Sequence, residues 1–145
     1  MKRTGCIALA LLGVACIAFA GRVYYLAVQE DLYYTRYSDA YWLGLPSNAV
    51  SAFPRIGMIG EEVFYSSCGD GPKPVMSGVS FASSAAPSAI WASVEVFLPQ
   101  SGYSRDATRD LDLARCWSGP DSMVLVWVTQ EEGRCKVEVR ELFNL

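Results

Sequence analysis

The stretch MVLVWVTQEEGRCKVEVRELF, residues 123–143, decides the fold. Met123 to Gln130 reads as a strand, Glu131-Glu132-Gly133 as a turn, and Arg134 to Phe143 as a second strand. In the second strand Cys135, Val137 and Val139 fall on one parity and Lys136, Glu138 and Arg140 on the other. That alternation predicts an antiparallel sheet with one wet face. Val124-Leu125-Val126-Trp127-Val128 is apolar on both parities and belongs in a central strand.

Working back along the chain, Ser104 to Trp117 carries Ala107, Leu111 and Ala114 at helical spacing. Asp106 lies early and Arg115 late, so a short helix is expected there. Ile90 to Leu98 alternates, with Ala92, Val94, Val96 and Leu98 on one parity, and reads as a strand. Ser83 to Ser88 is a small-residue loop. Val75 to Ala82 and Glu62 to Cys68 are further strand candidates, separated by a turn at Gly69-Asp70-Gly71-Pro72. Gly44 to Gly60, with Pro46 and Pro54, reads as loop with one short extended piece.

The N-terminus has a different character. Lys2-Arg3 precedes an uncharged run from Gly5 to Gly21. Those 17 residues make about 25 Å of helix, slightly short of a hydrocarbon core of about 30 Å. Arg22, Tyr24 and Tyr25 suit the membrane interface, the arginine by snorkelling and the rings as part of an aromatic belt. All seven prolines lie at or after Pro46, so helix-compatible sequence continues to Leu43. On such a helix Leu26, Tyr33, Tyr37, Ala40 and Tyr41 share a face, opposite Asp31, Thr35, Ser38 and Asp39, making Tyr33, Tyr37 and Tyr41 candidates for docking a partner. Ala18-Phe19-Ala20 also fits a signal-peptidase site, with cleavage before Gly21.

The expected fold class is therefore α+β: a long N-terminal helix, transmembrane plus stalk, followed by a small antiparallel sheet of four to five strands and one short helix. Residues 1–22 form a membrane anchor or signal segment, 23–45 an amphipathic tyrosine-rich helix, and 46–145 an extracytoplasmic α+β domain.

The chemistry is bounded by what the chain lacks. It has no histidine, which excludes Ser/His/Asp and Cys/His nucleophile pairs and histidine metal or haem sites. A net charge of −3 without a basic patch argues against nucleic acid. Glu61-Glu62, Asp110/Asp112 and Glu131-Glu132 read as solvated surface rather than paired catalytic carboxylates. No phosphate loop, EF-hand or dinucleotide fingerprint is present, so no cofactor or metal is expected.

Of the five cysteines, Cys6 and Cys16 lie in the apolar run, leaving Cys68, Cys116 and Cys135 as disulfide candidates. In a simple meander Cys116 would lie opposite about Met123 and Cys135 opposite about Thr129. The resulting gap of roughly 20 Å is too wide to bridge. A Cys116–Cys135 bridge thus requires Ser104–Cys116 to be something other than the next hairpin strand. Otherwise Cys68 pairs with one of them.

These features point to a non-catalytic single-pass protein of the inner (cytoplasmic) membrane, its C-terminal domain periplasmic. It would contact lipid and bind other membrane or periplasmic subunits as an accessory part of a complex. The alternative is a secreted periplasmic binder, of inhibitor or immunity type, released by cleavage after Ala20. The order of basic leader, Gly5, apolar helix and antiparallel sheet also resembles type IV pilins and pseudopilins. Lys2-Arg3-Thr4-Gly5 stands where their leader ends, while Cys6 and Ala10 stand where those proteins generally carry Phe or Met, and Glu. That resemblance implies a pilin-like assembly subunit.

Overall fold

A computed structural model describes residues 2–27, 29, 31–69 and 75–143. The turn expected over 70–72 and the side chain of Cys6 lie outside the described residues. Helix α1 (Lys2–Ala27) is followed by β1 (Asp31–Tyr34), α2 (Asp39–Trp42), α3 (Asn48–Ala52), β2 (Met58–Ser67) and β3 (Val75–Ser83). Then come α4 (Pro87–Gln100), β4 (Ser104–Arg105), a 3₁₀ turn (Ala107–Arg109), β5 (Ala114–Ser118), β6 (Ser122–Glu131) and β7 (Arg134–Phe143).

The α+β expectation holds, but the sheet has seven antiparallel strands rather than four or five, ordered β1-β2-β3-β7-β6-β5-β4. It is two meanders joined where β3 pairs with β7. Three strands were not expected: β5, in the segment read as helix, and the edge pieces β1, with four residues, and β4, with two. Such short, charge-bearing edges give little template for pairing with another chain.

The β6–β7 hairpin forms where its sequence indicates. Glu131 pairs with Arg134, leaving a two-residue loop in which Glu132 and Gly133 have φ of 49° and 80°. Positive φ at both positions is the type I′ geometry that matches the strand twist.

Three expectations are corrected. The tyrosine-rich segment 23–45 is not one helix: α1 stops at Ala27, and β1 takes up the next residues by pairing Asp31 to Tyr34 with Ser67 to Phe64. Vicinal tyrosines suit a strand, and Ser38 caps a new helix rather than continuing the old one, its hydroxyl accepting from the Tyr41 N–H.

The segment Ile90–Leu98 is helix, not strand. Pro87 opens α4, and Ile90, Val94 and Leu98 form the buried stripe at i, i+4, i+8. Each is worth roughly 1.5–3 kcal/mol on burial. The helix ends in a Schellman motif: Tyr103 N–H donates to Leu98 C=O, Gly102 N–H to Pro99 C=O, and Gly102 takes φ of +90°.

Ser104–Trp117 is not a helix. Ser104-Arg105 pairs with Ser118-Trp117, and Ala114 to Ser118 pairs with Trp127 to Met123. The Asp110 carboxylate accepts from the Cys116 N–H at 2.8 Å and from the Arg105 guanidinium, pinning the loop that helical spacing had suggested was a turn of helix.

The main core lies on one face of the sheet, beneath α3 and α4. Val50, Phe53, Phe64, Val79, Ile90, Val94, Leu98, Trp117, Val124, Val126, Val137 and Val139 are all buried there. Trp91 stacks on Trp117, and Arg115 covers the Trp91 ring at 4.1 Å. Beside this core lies a buried ion pair. Glu62, 6% exposed, accepts from Arg55 and from Arg36, each at 2.6 Å. Arg55 also donates to the carbonyls of Phe53 and Val50, and burial pushes its guanidinium pKa down.

Helix α1 stands largely clear of this domain. Ile7–Leu26, 20 residues, is long and apolar enough to cross a membrane, a property it shares with signal sequences. The domain holds it at its end. Leu26 enters the main core, and Arg22 donates to both carboxylate oxygens of Asp39 at 2.6 and 3.1 Å.

Candidate functional site: the uncovered face of the sheet

The second face of the sheet has no helix over it among the described residues. Ladder register sets its composition. Tyr33 pairs with Tyr65, Tyr65 with Gly78, Gly78 with Arg140, and Arg140 with Leu125, so one row of side chains crosses five strands. In the next row Val63, Ser80, Glu138 and Trp127 follow one another.

Gly78 makes the row continuous. A Cβ at this position would lie 2.1 Å from Tyr65 Cζ, so the tyrosine ring lies flat over the glycine backbone. This is the cross-strand arrangement in which an aromatic ring covers the gap a glycine leaves. Tyr65 also lies 6.0 Å from the Tyr33 ring. Arg140 sits between Tyr65 and Trp127, with its Cζ 5.7 and 5.0 Å from their centroids. Its guanidinium donates through Nε and Nη2 to Glu138 Oε1, and the Tyr65 hydroxyl faces the same oxygen at 3.4 Å. Burial pushes the Tyr65 pKa up, so the hydroxyl stays protonated and able to donate.

A groove of about 260 Å³ runs along this row, lined by Tyr33, Val63, Tyr65, Ser80, Lys136 and Arg140 among others. Val63, Ser80 and Lys136 also line a larger, shallower depression toward the β6–β7 hairpin. Toward β5 the face closes over a small second core of Ala114, Cys116 and Leu125, flanked by Met123, Trp127 and Leu142. The result is a rigid floor with aromatic and cationic groups held by ladder hydrogen bonds and ion pairs. It is suited to contact with another surface more than to enclosing a substrate.

The interface residues expected from sequence are dispersed. Arg22, Tyr24 and Tyr25 stay together at the end of α1, with Arg22 5.5 Å from the Tyr25 ring and the Tyr25 hydroxyl accepting from Gln29. Tyr33 joins the uncovered face and is 73% exposed. Tyr37 is exposed in the loop after β1, beside Arg36 and Arg55. Tyr41 turns inward, edge-on to Phe64 at 4.9 Å.

The described cysteines, Cys16, Cys68, Cys116 and Cys135, are free thiols. Cys116 pairs with Leu125 and Cys135 with Gln130. Five residues along β6 separate them by about 17 Å and place them on opposite faces. Cys68 follows Ser67, whose row passes through Met76 to Leu142, about 23 Å along β7 from Cys135. From Cys116 it is four strand spacings away, about 19 Å. No pairing among the three falls within disulfide range in this sheet.

Tyr65, Gly78, Trp127 and Arg140 were missed as site residues. The alternation of Lys136, Glu138 and Arg140 marked a wet face, but nothing local to β7 says which aromatics from β1, β2 and β6 lie beside it.

The carboxylates considered for chemistry are otherwise engaged or exposed. Glu62 and Asp110 sit in ion pairs with arginines, and Glu131 and Glu132 lie at the exposed hairpin tip. Comparison of the chain with protein-family models, curated proteins and solved structures finds no match.

Proposed function

We propose that this chain is a non-catalytic, single-pass membrane protein of the inner membrane whose extracytoplasmic domain presents the uncovered sheet face to another protein subunit. The observation that carries the reading is the row Tyr33–Tyr65–Arg140, flanked by Trp127. Tyr, Trp and Arg are the residues that dominate binding energy at protein interfaces, and here they are held rigid on strands, which lowers the entropy cost of docking.

The anchor half of the proposal has three supports. Helix α1 runs unbroken through Ala18-Phe19-Ala20 and Gly21, where a signal peptidase would need extended chain. Leu26 and Arg22 tie the helix into the domain, an investment wasted on a segment to be removed. Charge is also asymmetric. Lys2 and Arg3 flank the apolar run on its N-terminal side, while Arg22 is the one basic residue between its far end and Arg36, which suits an inside N-terminus and a translocated domain.

A photoreactive amino acid at Tyr33 or Lys136, in intact membranes, tests the docking face, with the same probe at exposed Val96 on α4 as control. A discrete protein adduct from the sheet-face positions and none from Val96 is expected. Equal labelling at all three positions, or adducts from Val96 alone, would overturn the assignment.

A further inference from the structure

We propose that α2 is a second membrane contact, with Trp42 seated among the lipid headgroups of the outer leaflet beside the exit of α1. The inference rests on the anchor reading above and adds to it how the domain is oriented on the bilayer.

Levels along α1 set the depth of α2. Leu26 is the last residue of the apolar span and is buried in the domain core. Arg22 lies four residues earlier, about 6 Å deeper at 1.5 Å per residue. Its bidentate contact with Asp39 brings the first turn of α2 to that depth. Lys2-Arg3 at the inner boundary and Arg22 at the outer one are 19–20 residues apart, about 30 Å of helix, which matches the hydrocarbon thickness. Arg22 and Asp39 therefore lie at the junction of hydrocarbon and headgroups, a place where a paired guanidinium and carboxylate are tolerated.

Trp42 follows Asp39 by one helical turn, about 5 Å, less than the thickness of one headgroup layer. The residues of α2 divide accordingly. Ala40 is buried and Tyr41 turns into the core against Phe64, while Trp42 points out, 76% exposed, with Leu43 next to it partly exposed. An indole at a bilayer interface keeps its N–H in contact with water and headgroups while its body leaves water. Tyr24 and Tyr25 sit on α1 within three residues of Arg22, so the three rings form an aromatic belt drawn from two separate elements. Neutralisation of Asp39 by Arg22 removes the negative charge that would otherwise repel this corner of an acidic domain from anionic lipid.

The test uses full-length protein reconstituted in phosphatidylcholine vesicles carrying lipid brominated at a shallow acyl position. Wild type is compared with Trp42→Phe, and a Trp42→Phe/Phe19→Trp variant serves as a depth marker within α1. The wild type is expected to lose the emission share of one tryptophan in four on brominated lipid, and Trp42→Phe to lose none. The Phe19→Trp marker is expected to be quenched as well. Equal quenching of wild type and Trp42→Phe, with the marker quenched, would overturn the inference and leave the anchor standing. An unquenched marker would remove the anchor and the inference together.

Discussion

Replacing Gly78 with alanine sets two effects of known sign against each other. Alanine restricts the unfolded chain and, at a position whose backbone it accepts, stabilises by about 0.4–1 kcal/mol. Gly78 lies in the regular part of β3 and is not among the residues with positive φ, so the backbone raises no objection. The new Cβ, however, would stand 2.1 Å from Tyr65 Cζ, 2.4 Å from its hydroxyl oxygen and 2.6 Å from Cε1. Ordinary contact begins near 3.4 Å, so the ring must move by more than about 1 Å. It cannot do so freely, because Tyr33, Arg140 and Glu138 surround it. Overpacking of this kind costs about 1–3 kcal/mol, which outweighs the entropic gain. The expected net loss is about 1–2 kcal/mol, a fall of several degrees in Tm for a domain of this size. Thermal and urea unfolding of the full-length protein in detergent, followed by tryptophan fluorescence, measures it. A Tyr65→Leu background should abolish the penalty, since the obstructing ring is gone, and leave the gain of about 0.4–1 kcal/mol, so the coupling energy of the pair should exceed the single-site loss by about that amount. A Gly78→Ala variant as stable as wild type or more so, with no coupling to Tyr65, would refute the claim that the ring lies over the glycine.

Other outcomes follow from the core. Glu62→Gln leaves the 12%-exposed Arg55 without a counter-charge and should cost about 3 kcal/mol in urea unfolding, while Glu62→Leu combined with Arg55→Met should recover most of it. The Tyr34 hydroxyl is buried and meets no hydrogen-bond partner within 3.5 Å, with Ser66 the polar group facing it, so Tyr34→Phe should leave stability unchanged or raise it by up to about 1 kcal/mol. Burial also pushes Tyr34 up to about 12, so the folded state keeps a proton that the unfolded chain releases near its ordinary value of 10. Stability from this group is complete below about pH 10 and falls between about pH 10 and 12, and the fall should be shallower in Tyr34→Phe. Leu98→Ala, at the fully buried C-terminal end of the α4 stripe, should cost about 2–5 kcal/mol in the same assay.

How much of this was legible in sequence depended on the range of the determining interaction. The β6–β7 hairpin was, because alternation and a Glu132-Gly133 turn are local. Helix α4 reads as a strand from sequence because Ala92, Val94, Val96 and Leu98 satisfy period two while Ile90, Val94 and Leu98 satisfy the helical period. In so apolar a segment, length and Pro87 had to arbitrate. Strand β1 was hidden inside a helix-compatible run. Its pairing with β2 is tertiary, and locally the Ser38 cap is indistinguishable from the polar face of a continuing helix. The uncovered face was the least legible part. Tyr33, Tyr65, Trp127 and Arg140 come from four strands, and only the register of the whole sheet sets them side by side.

Both proposals require that α1 remain as a membrane anchor for the domain it is tied to. Intact-mass measurement on material recovered from carbonate-washed membranes tests it most directly. A full-length chain that retains α1 is expected in the membrane pellet. A soluble species beginning at Gly21 would contradict it.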